Sequence, residues 1–454
     1  MKKFALFCAL VMLVAIARPA FAEVQNVKVS GDIKTYFGYR NNFDLVSNAS
    51  NDDDQDWFNT ATRVRVDADL TDNVSTTVRL LNERDWDTEA EGLGSSGDTG
   101  VVIDLASVSL KEFLYSPLSL TLGRQELRYG NALVVGDVDT NSNSAETGLV
   151  AREFSARKAF DAVRAVLDFD PITVDSFYSK INETGTATRD IDLFGADLAY
   201  AVGSYNANVA AYVVGYQDFG ATETAPSPPG RVPPQLGGVY LGEKVYTLGL
   251  RGTVEPTTGL RAGAEIAFET GDFSGTRSQR ASAVQLNGQY TFNTTFKPVL
   301  KAKYAFFSGE EVQDAGDQES WIPYAEDQTW GIIADRMNLS TVSGGTPQNS
   351  NTNMNIINVG ASFVPLEDLT VNADWYYFQL VEENDTSPNA GAGVSLVYTD
   401  DKAYGNEFDI TVAYDYTEDV ALKSAIAIFS PGDAWEPDAR DTALQLTGGV
   451  TVAF

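Results

Sequence analysis

Thr442-Ala443-Leu444-Gln445-Leu446-Thr447-Gly448-Gly449-Val450-Thr451-Val452-Ala453-Phe454 is the stretch that decides the fold. Leu444, Leu446, Val450, Val452 and Phe454 share one parity. In an extended chain successive side chains point to opposite faces, so these five make one apolar face. A strand that is apolar on one side and closes on an aromatic is typical of barrels of the outer membrane.

The same alternation recurs toward the N-terminus. Phe408, Ile410, Val412, Tyr414 and Tyr416 interleave with Glu407, Asp409, Thr411, Ala413 and Asp415. Leu260, Ala262, Ala264, Ile266 and Phe268 interleave with Arg261, Gly263, Glu265, Ala267 and Glu269. Val64, Val66, Ala68 and Leu70 interleave with Arg63, Arg65, Asp67 and Asp69. Counted this way, 18 strands are expected, at 27–40, 61–70, 74–84, 101–113, 118–127, 159–169, 172–181, 190–201, 205–216, 244–253, 259–269, 280–292, 296–307, 354–364, 369–380, 404–416, 420–429 and 441–454. Even-numbered strands are followed by short links such as Thr71-Asp72-Asn73, Asp170-Pro171 and Thr417-Glu418-Asp419. Odd-numbered strands are mostly followed by long polar ones, as at 41–60, 128–158, 217–243, 308–353 and 381–403. Short turns at one end and long loops at the other describe an all-β, transmembrane, antiparallel β-barrel.

Composition narrows the function. The 454 residues contain no His, and the one Cys is Cys8. That removes His-based nucleophile pairs and His-ligated metals. Lys and Arg number 32 against 63 Asp and Glu, a net charge of −31, which argues against a nucleic-acid partner. Lys2 and Lys3 precede the 14-residue apolar run Phe4–Ala17, and Ala20-Phe21-Ala22 supplies small residues for cleavage. Residues 1–22 read as a removed signal peptide and 23–454 as a single barrel domain. The remaining chain has a charge of −34 and no cysteine. It is therefore expected to rely on its backbone ladder and packing, with outer-membrane lipids and lipopolysaccharide around it.

Three stretches resemble the alginate export family of outer-membrane porins. They are Leu120-Thr121-Leu122-Gly123-Arg124-Gln125-Glu126-Leu127-Arg128-Tyr129-Gly130, then Phe160-Asp161-Ala162-Val163-Arg164, then Gly405-Asn406-Glu407-Phe408-Asp409-Ile410 with Phe429-Ser430-Pro431-Gly432-Asp433. The resemblance implies an 18-stranded barrel whose basic lumen passes an anionic polysaccharide. Arg124 and Arg164 stand in the matching motifs, so that role falls on them first. Guanidinium groups suit it because they stay charged and clasp carboxylates with two bonds.

Parity adds Arg63, Arg65, Arg79, Arg251, Arg261, Lys301 and Lys303 as inward basic residues, with Lys34 and Lys423. Alternation alone aims Arg124 outward, with Leu118, Leu120 and Leu122, so a pore role for it needs a bulge near Gly123 or a position at the rim. Inward acids include Asp67, Asp69, Glu265, Glu269 and Asp409, so the lumen is mixed, and its charges are equally expected to brace the wall as ion ladders. The loops are strongly acidic. Asp52, Asp53 and Asp54 form one candidate Ca²⁺ or Mg²⁺ site and Asp137 with Asp139 another, though Ser142 and Gly148 depart from a calcium loop.

The expected function is a channel for export or passage of a polysaccharide or small solute, without enzymatic activity. The alternative is a structural or interaction barrel, such as a sheath, a receptor or a loop scaffold, or one working with a periplasmic partner. The 46-residue loop 308–353, carrying Trp321, Tyr324 and Trp330, is a candidate plug or lid.

Overall fold

The computed structural model describes residues 26–43, 45, 54–86, 100–137, 154–183, 190–218, 244–274, 277–309, 317–322, 324–335, 351–383, 401–435, 437–438 and 440–454. The signal segment, Asp52, Asp53, Asp139 and the proline-rich stretch 221–238 lie outside these residues.

Eighteen strands follow one another: β1 (Asn26–Asn41), β2 (Gln55–Thr71), β3 (Val74–Asp85), β4 (Val102–Leu110), β5 (Leu118–Glu126), β6 (Ala159–Asp168), β7 (Ile172–Asn182), β8 (Ile191–Val202), β9 (Ala207–Asp218), β10 (Lys244–Thr257), β11 (Leu260–Ser274), β12 (Arg277–Thr291), β13 (Val299–Phe307), β14 (Met354–Leu366), β15 (Leu369–Leu380), β16 (Ala403–Thr417), β17 (Val420–Pro431) and β18 (Ala443–Ala453). Each pairs antiparallel with the next, and β1 also pairs with β18, so the sheet closes on itself. Closure leaves no edge strand and satisfies every rung of the ladder inside the membrane.

The expected alternation sets the two faces. On β2, Phe58, Val64 and Val66 point out and are exposed, while Trp57, Asn59 and Ala61 are buried inside. The inward alternation runs back from Ala61 through Asn59 and Trp57 to Gln55, in unbroken register with β1 from Lys34 to Arg40. This is why β2 begins at Gln55, six residues before its sequence-predicted start. β11 and β12 likewise extend to a hairpin with only 275–276 between them. The C-terminal signal works as a seam: Gly31 N donates to Phe454 O at 2.8 Å and Phe454 N donates to Gly31 O at 3.0 Å. A Cβ on Gly31 would lie 2.6 Å from the Phe454 ring, so glycine makes room for the terminal aromatic.

Candidate functional site

The lumen wall is laced with ion pairs within a strand, between neighbouring strands and across an intervening one. Arg63 bonds Asp32 at 2.8 Å, Arg79 bonds both Asp104 and Glu126 at 2.5 Å, and Arg164 bonds Asp175 at 2.5 Å. Arg251 bonds Asp197 at 2.5 Å, Lys301 bonds Asp374 at 2.8 Å, Arg65 bonds Asp67 at 2.8 Å, and Arg261 pairs with Glu255. The Lys303 ammonium lies 5.8 Å over the Trp330 ring. The inward acids are engaged too: Tyr212 Oη donates to Glu265 at 2.7 Å, and Asn26 donates to Asp69 at 3.4 Å. Asp409 is buried beside Glu407 on the inner face of β16. Most basic residues picked by parity thus face a carboxylate, and an isolated charge in the low-dielectric wall would cost more than the pair.

Arg124 departs from the pore-lining expectation. It shares parity with the exposed Leu122, and it meets Asp161 at 3.1 Å across the β5–β6 pair. Asp161 shares parity with the exposed Val163, so the pair stands on the outer wall. Gly123 does take a positive φ of 110°, yet the register through Leu122↔Val163, Gly123↔Ala162 and Arg124↔Asp161 runs unbroken. No residue is inserted there, so nothing turns Arg124 inward.

Two connections from the long-loop end fold into the barrel. The first is residues 127–137, where Leu127, Ala132, Leu133, Val134, Val135 and Asp137 are all buried. The second lies within 317–335 and buries Trp321, Ala325, Trp330, Ile333 and Ala334. They join through a short parallel bridge, Val135↔Ala325, with Gly136 N donating to Ala325 O at 2.7 Å and Asp327 N donating to Ala132 O at 3.0 Å. Aromatics hold the second segment to the wall, and Tyr324 stacks on Tyr216 with ring centroids 4.0 Å apart.

Wall carboxylates receive the backbone of that segment. Glu269 accepts Ile322 N at 3.0 Å. Glu407 accepts Ile332 N at 2.5 Å and Ile333 N and Ala334 N at 2.7 Å each. Gly331 allows this approach with φ of 81°, and a Cβ there would stand 2.6 Å from Glu407 Oε2. Burial pushes the Asp335 carboxyl up to about 7, helped by nearby Glu407, against the Trp330 amide that favours its ionised form. Burial also pushes Glu326 well above the usual carboxylate range. Asp327 goes the other way: burial opposes ionisation, yet Lys158 and Arg128 beside it hold its carboxyl below the ordinary value.

The inward segments fill the lumen unevenly. Against β7–β11 they pack shut, leaving about 10 Å³ among Tyr129, Val135, Phe177, Arg251 and Glu265. Against β1 and β2 a cavity of about 310 Å³ remains, lined by Lys34, Arg63, Arg128 and Lys158, with Glu126 the one acidic lining residue among the described residues. Arg128 and Lys158 both reach Asp327 just behind it. Parity on strands does not find these two, because both lie on connections. Their sequence signal is position, next to the G-R-Q and F-D-A-V-R motifs. Of the expected cation ligands within the described residues, Asp137 is buried 4.0 Å from Lys158, and Asp54 accepts bonds from Tyr39 at 3.0 Å and from Asn41.

The fold matches solved structures. The barrel is similar to Pseudomonas aeruginosa OccK2 (OpdF), with a TM-score of 0.55 at 11% identity over 95% of this chain and 98% of that one. OccK2 in complex with glucuronate gives a TM-score of 0.55 at 11% identity, covering 95% and 99%. Pseudomonas aeruginosa OprD gives 0.52 at 10% identity, covering 95% and 97%. No curated protein matches the chain. The family model for alginate export matches residues 25–448. An outer-membrane channel of eighteen strands, this chain belongs to the alginate export family.

Proposed function

We propose that the channel passes carboxylate-bearing sugars along the β1–β2 side of its lumen, through the cleft lined by Lys34, Arg63, Arg128 and Lys158. The observation that carries this reading is the cleft's lining: among the described residues four cations and one carboxylate surround about 310 Å³, with Asp32 and Asp327 set behind Arg63, Arg128 and Lys158, in a chain whose overall charge is −31. Basic residues so concentrated in an acidic protein have a local task, and several weak cationic contacts let an anion bind without being trapped. The family's description and the glucuronate bound to a barrel of the same fold support the choice of cargo. The inward segments make the passage a gated one. No step of this reading alters the cargo covalently. Asp54 and Asp137 are engaged by protein partners, so it assigns them no bound cation.

The test is a planar bilayer holding the purified barrel in a KCl gradient. Anion-selective reversal potentials are expected, together with a current block by glucuronate that glucose does not produce. Cation selectivity, or equal block by the neutral sugar, overturns the reading.

A further inference from the structure

Two aromatic rings line the basic cleft beside its cations. Tyr36 stands on the inner face of β1, two residues from Lys34, and Phe154 comes from the connection between β5 and β6. Their ring centroids lie 5.5 Å apart, with the planes 33° from each other. Both are half-buried, so each leaves ring surface on the cavity. The rings are fixed in place. A Cβ on Gly449 of β18 would stand 2.5 Å from Tyr36 Cδ1, so glycine lets this ring lie against the wall, and the Tyr36 hydroxyl is hydrogen-bonded to Thr451. Phe154 is pinned through the next two residues: Glu83 of β3 accepts Ser155 Oγ at 2.9 Å and Ala156 N at 2.5 Å. Behind Phe154 stands the buried Trp57, 6.1 Å away between centroids. The Arg40 guanidinium covers Trp57 at 4.5 Å and donates from Nε to Gln445 at 2.8 Å. A platform fixed before a ligand arrives loses little conformational entropy when it binds one.

The charges around the platform are not equivalent. Arg63 is paired with Asp32, and Arg128 and Lys158 are paired with Asp327. Lys34 makes no ion pair among the described residues, so its ammonium is the uncommitted cation of the cleft. Glu126 is the counterpart: Arg79 takes its Oε1 at 2.5 Å, and its side chain stays half exposed. A carboxylate has room for further donors, so Glu126 can still accept from hydroxyl groups. Cation, aromatic faces and acceptor thus meet in about 310 Å³, at the small end of ligand sites.

We infer that Lys34, Tyr36 and Phe154 form a subsite that selects the ring form of a sugar acid, an inference that rests on the passage of carboxylate-bearing sugars proposed above. The Lys34 ammonium takes the carboxylate, the two aromatic rings take the C–H face of the pyranose, and Glu126 accepts a hydroxyl. A pyranose turns several C–H bonds to one side, and that apolar, slightly positive face suits the negative face of an aromatic ring. Lys34 and Tyr36 are roughly 7 Å apart along the strand, so one sugar unit reaches both. A linear sugar acid has the charge and the hydroxyls but no flat C–H face. An aromatic acid has the ring but no hydroxyl for Glu126. The four cations of the cleft account for charge selection, and the rings add selection by shape.

The test compares current block by glucuronate and by gluconate in planar bilayers holding the full barrel. The two anions have the same charge and carbon count and differ in ring closure. Glucuronate is expected to block at about tenfold lower concentration. Tyr36→Leu/Phe154→Leu is expected to bring that ratio to about one, and Tyr36→Leu alone, which leaves Phe154 on Trp57, to lower it about threefold. Tyr36→Phe keeps the ring and is expected to keep the ratio. Heat-modified gel mobility reports that each variant is a closed barrel. An anion-selective channel that both acids block equally overturns the subsite and leaves the passage standing, whereas a cation-selective channel overturns the passage itself. A ratio that survives in both leucine variants overturns the subsite, as does stronger block by benzoate than by glucuronate.

Discussion

Glu407 Oε1 accepts the backbone amide of Ile333 at 2.7 Å, and this bond fastens an inward segment to the barrel wall. Ile332 and Ala334 donate to the same carboxylate. A charged acceptor serving several amides is worth about 3 kcal/mol or more, roughly a hundredfold in the balance between held and released segment. Glu407→Ala is expected to raise single-channel conductance and open probability, with Glu407→Gln in between because one acceptor oxygen remains. Unchanged currents in both variants would show that the segment is held elsewhere.

Gly331 is the second way to reach the same latch. Its φ of 81° is unfavourable for any other residue, and a Cβ would crowd Glu407 Oε2 at 2.6 Å. Gly331→Ala combines about 1 kcal/mol of backbone strain with that clash. It is expected to reproduce the Glu407→Ala currents while leaving the barrel's heat-modified gel mobility unchanged. A Gly331→Ala channel with ordinary currents counts against the latch.

The half-buried Asp335 gives the segment a pH dependence. Held inside, its carboxyl keeps a proton up to about 7, whereas a released carboxyl gives it up near 3.8. The inward state thus binds more protons between these values, so its stabilisation is complete below 3.8 and is lost as pH climbs to 7. Asp327 has the opposite sign. Its stabilisation is present above 3.8 and fades only in stronger acid, so it does not cancel the effect near neutrality. Open probability, or protease access to 317–335, is expected to increase between about pH 5 and pH 8. Glu326, also raised by burial, adds in the same direction, so Asp335→Asn is expected to lessen the slope and Asp335→Asn/Glu326→Gln to flatten it, and a curve that stays steep in the double variant points to another group.

Selectivity separates the two walls. Lys34→Gln/Arg63→Gln removes two of the four cleft cations and is expected to move the reversal potential toward cation preference. Arg124→Gln, on the outer wall, is expected to leave it unchanged. The reverse pattern would place the ion path away from the β1–β2 side.

The architecture is legible in the sequence because a lipid-facing wall forces period-two alternation, and Val64, Ile266 and Phe408 obey it visibly. Alternation also placed Arg164 and Arg251 on the inner face. It could not say that each meets a carboxylate, since pairing depends on the register of a neighbouring strand. Arg124 shows the limit of motif transfer: its parity already pointed outward, and local geometry did not overrule it. The cleft was hidden for a different reason. Arg128 and Lys158 lie in connections without periodicity, and their inward path comes from long-range contacts such as Val135↔Ala325. The aromatics Trp321, Tyr324 and Trp330 were the only local hint of that packing.

The seam between Gly31 and Phe454 bears on biogenesis. Strand β1 forms one side of it and β18 the other, so the first and last strands made must meet before the cylinder is watertight. Until β18 arrives, β1 and β17 each present a bare row of amides and carbonyls. A chain interrupted before Ala443 would keep both rows open, ready to pair with a neighbour. Pairing with β18 therefore doubles as a proofreading step, because only a chain that carries this strand can hide its own adhesive edges.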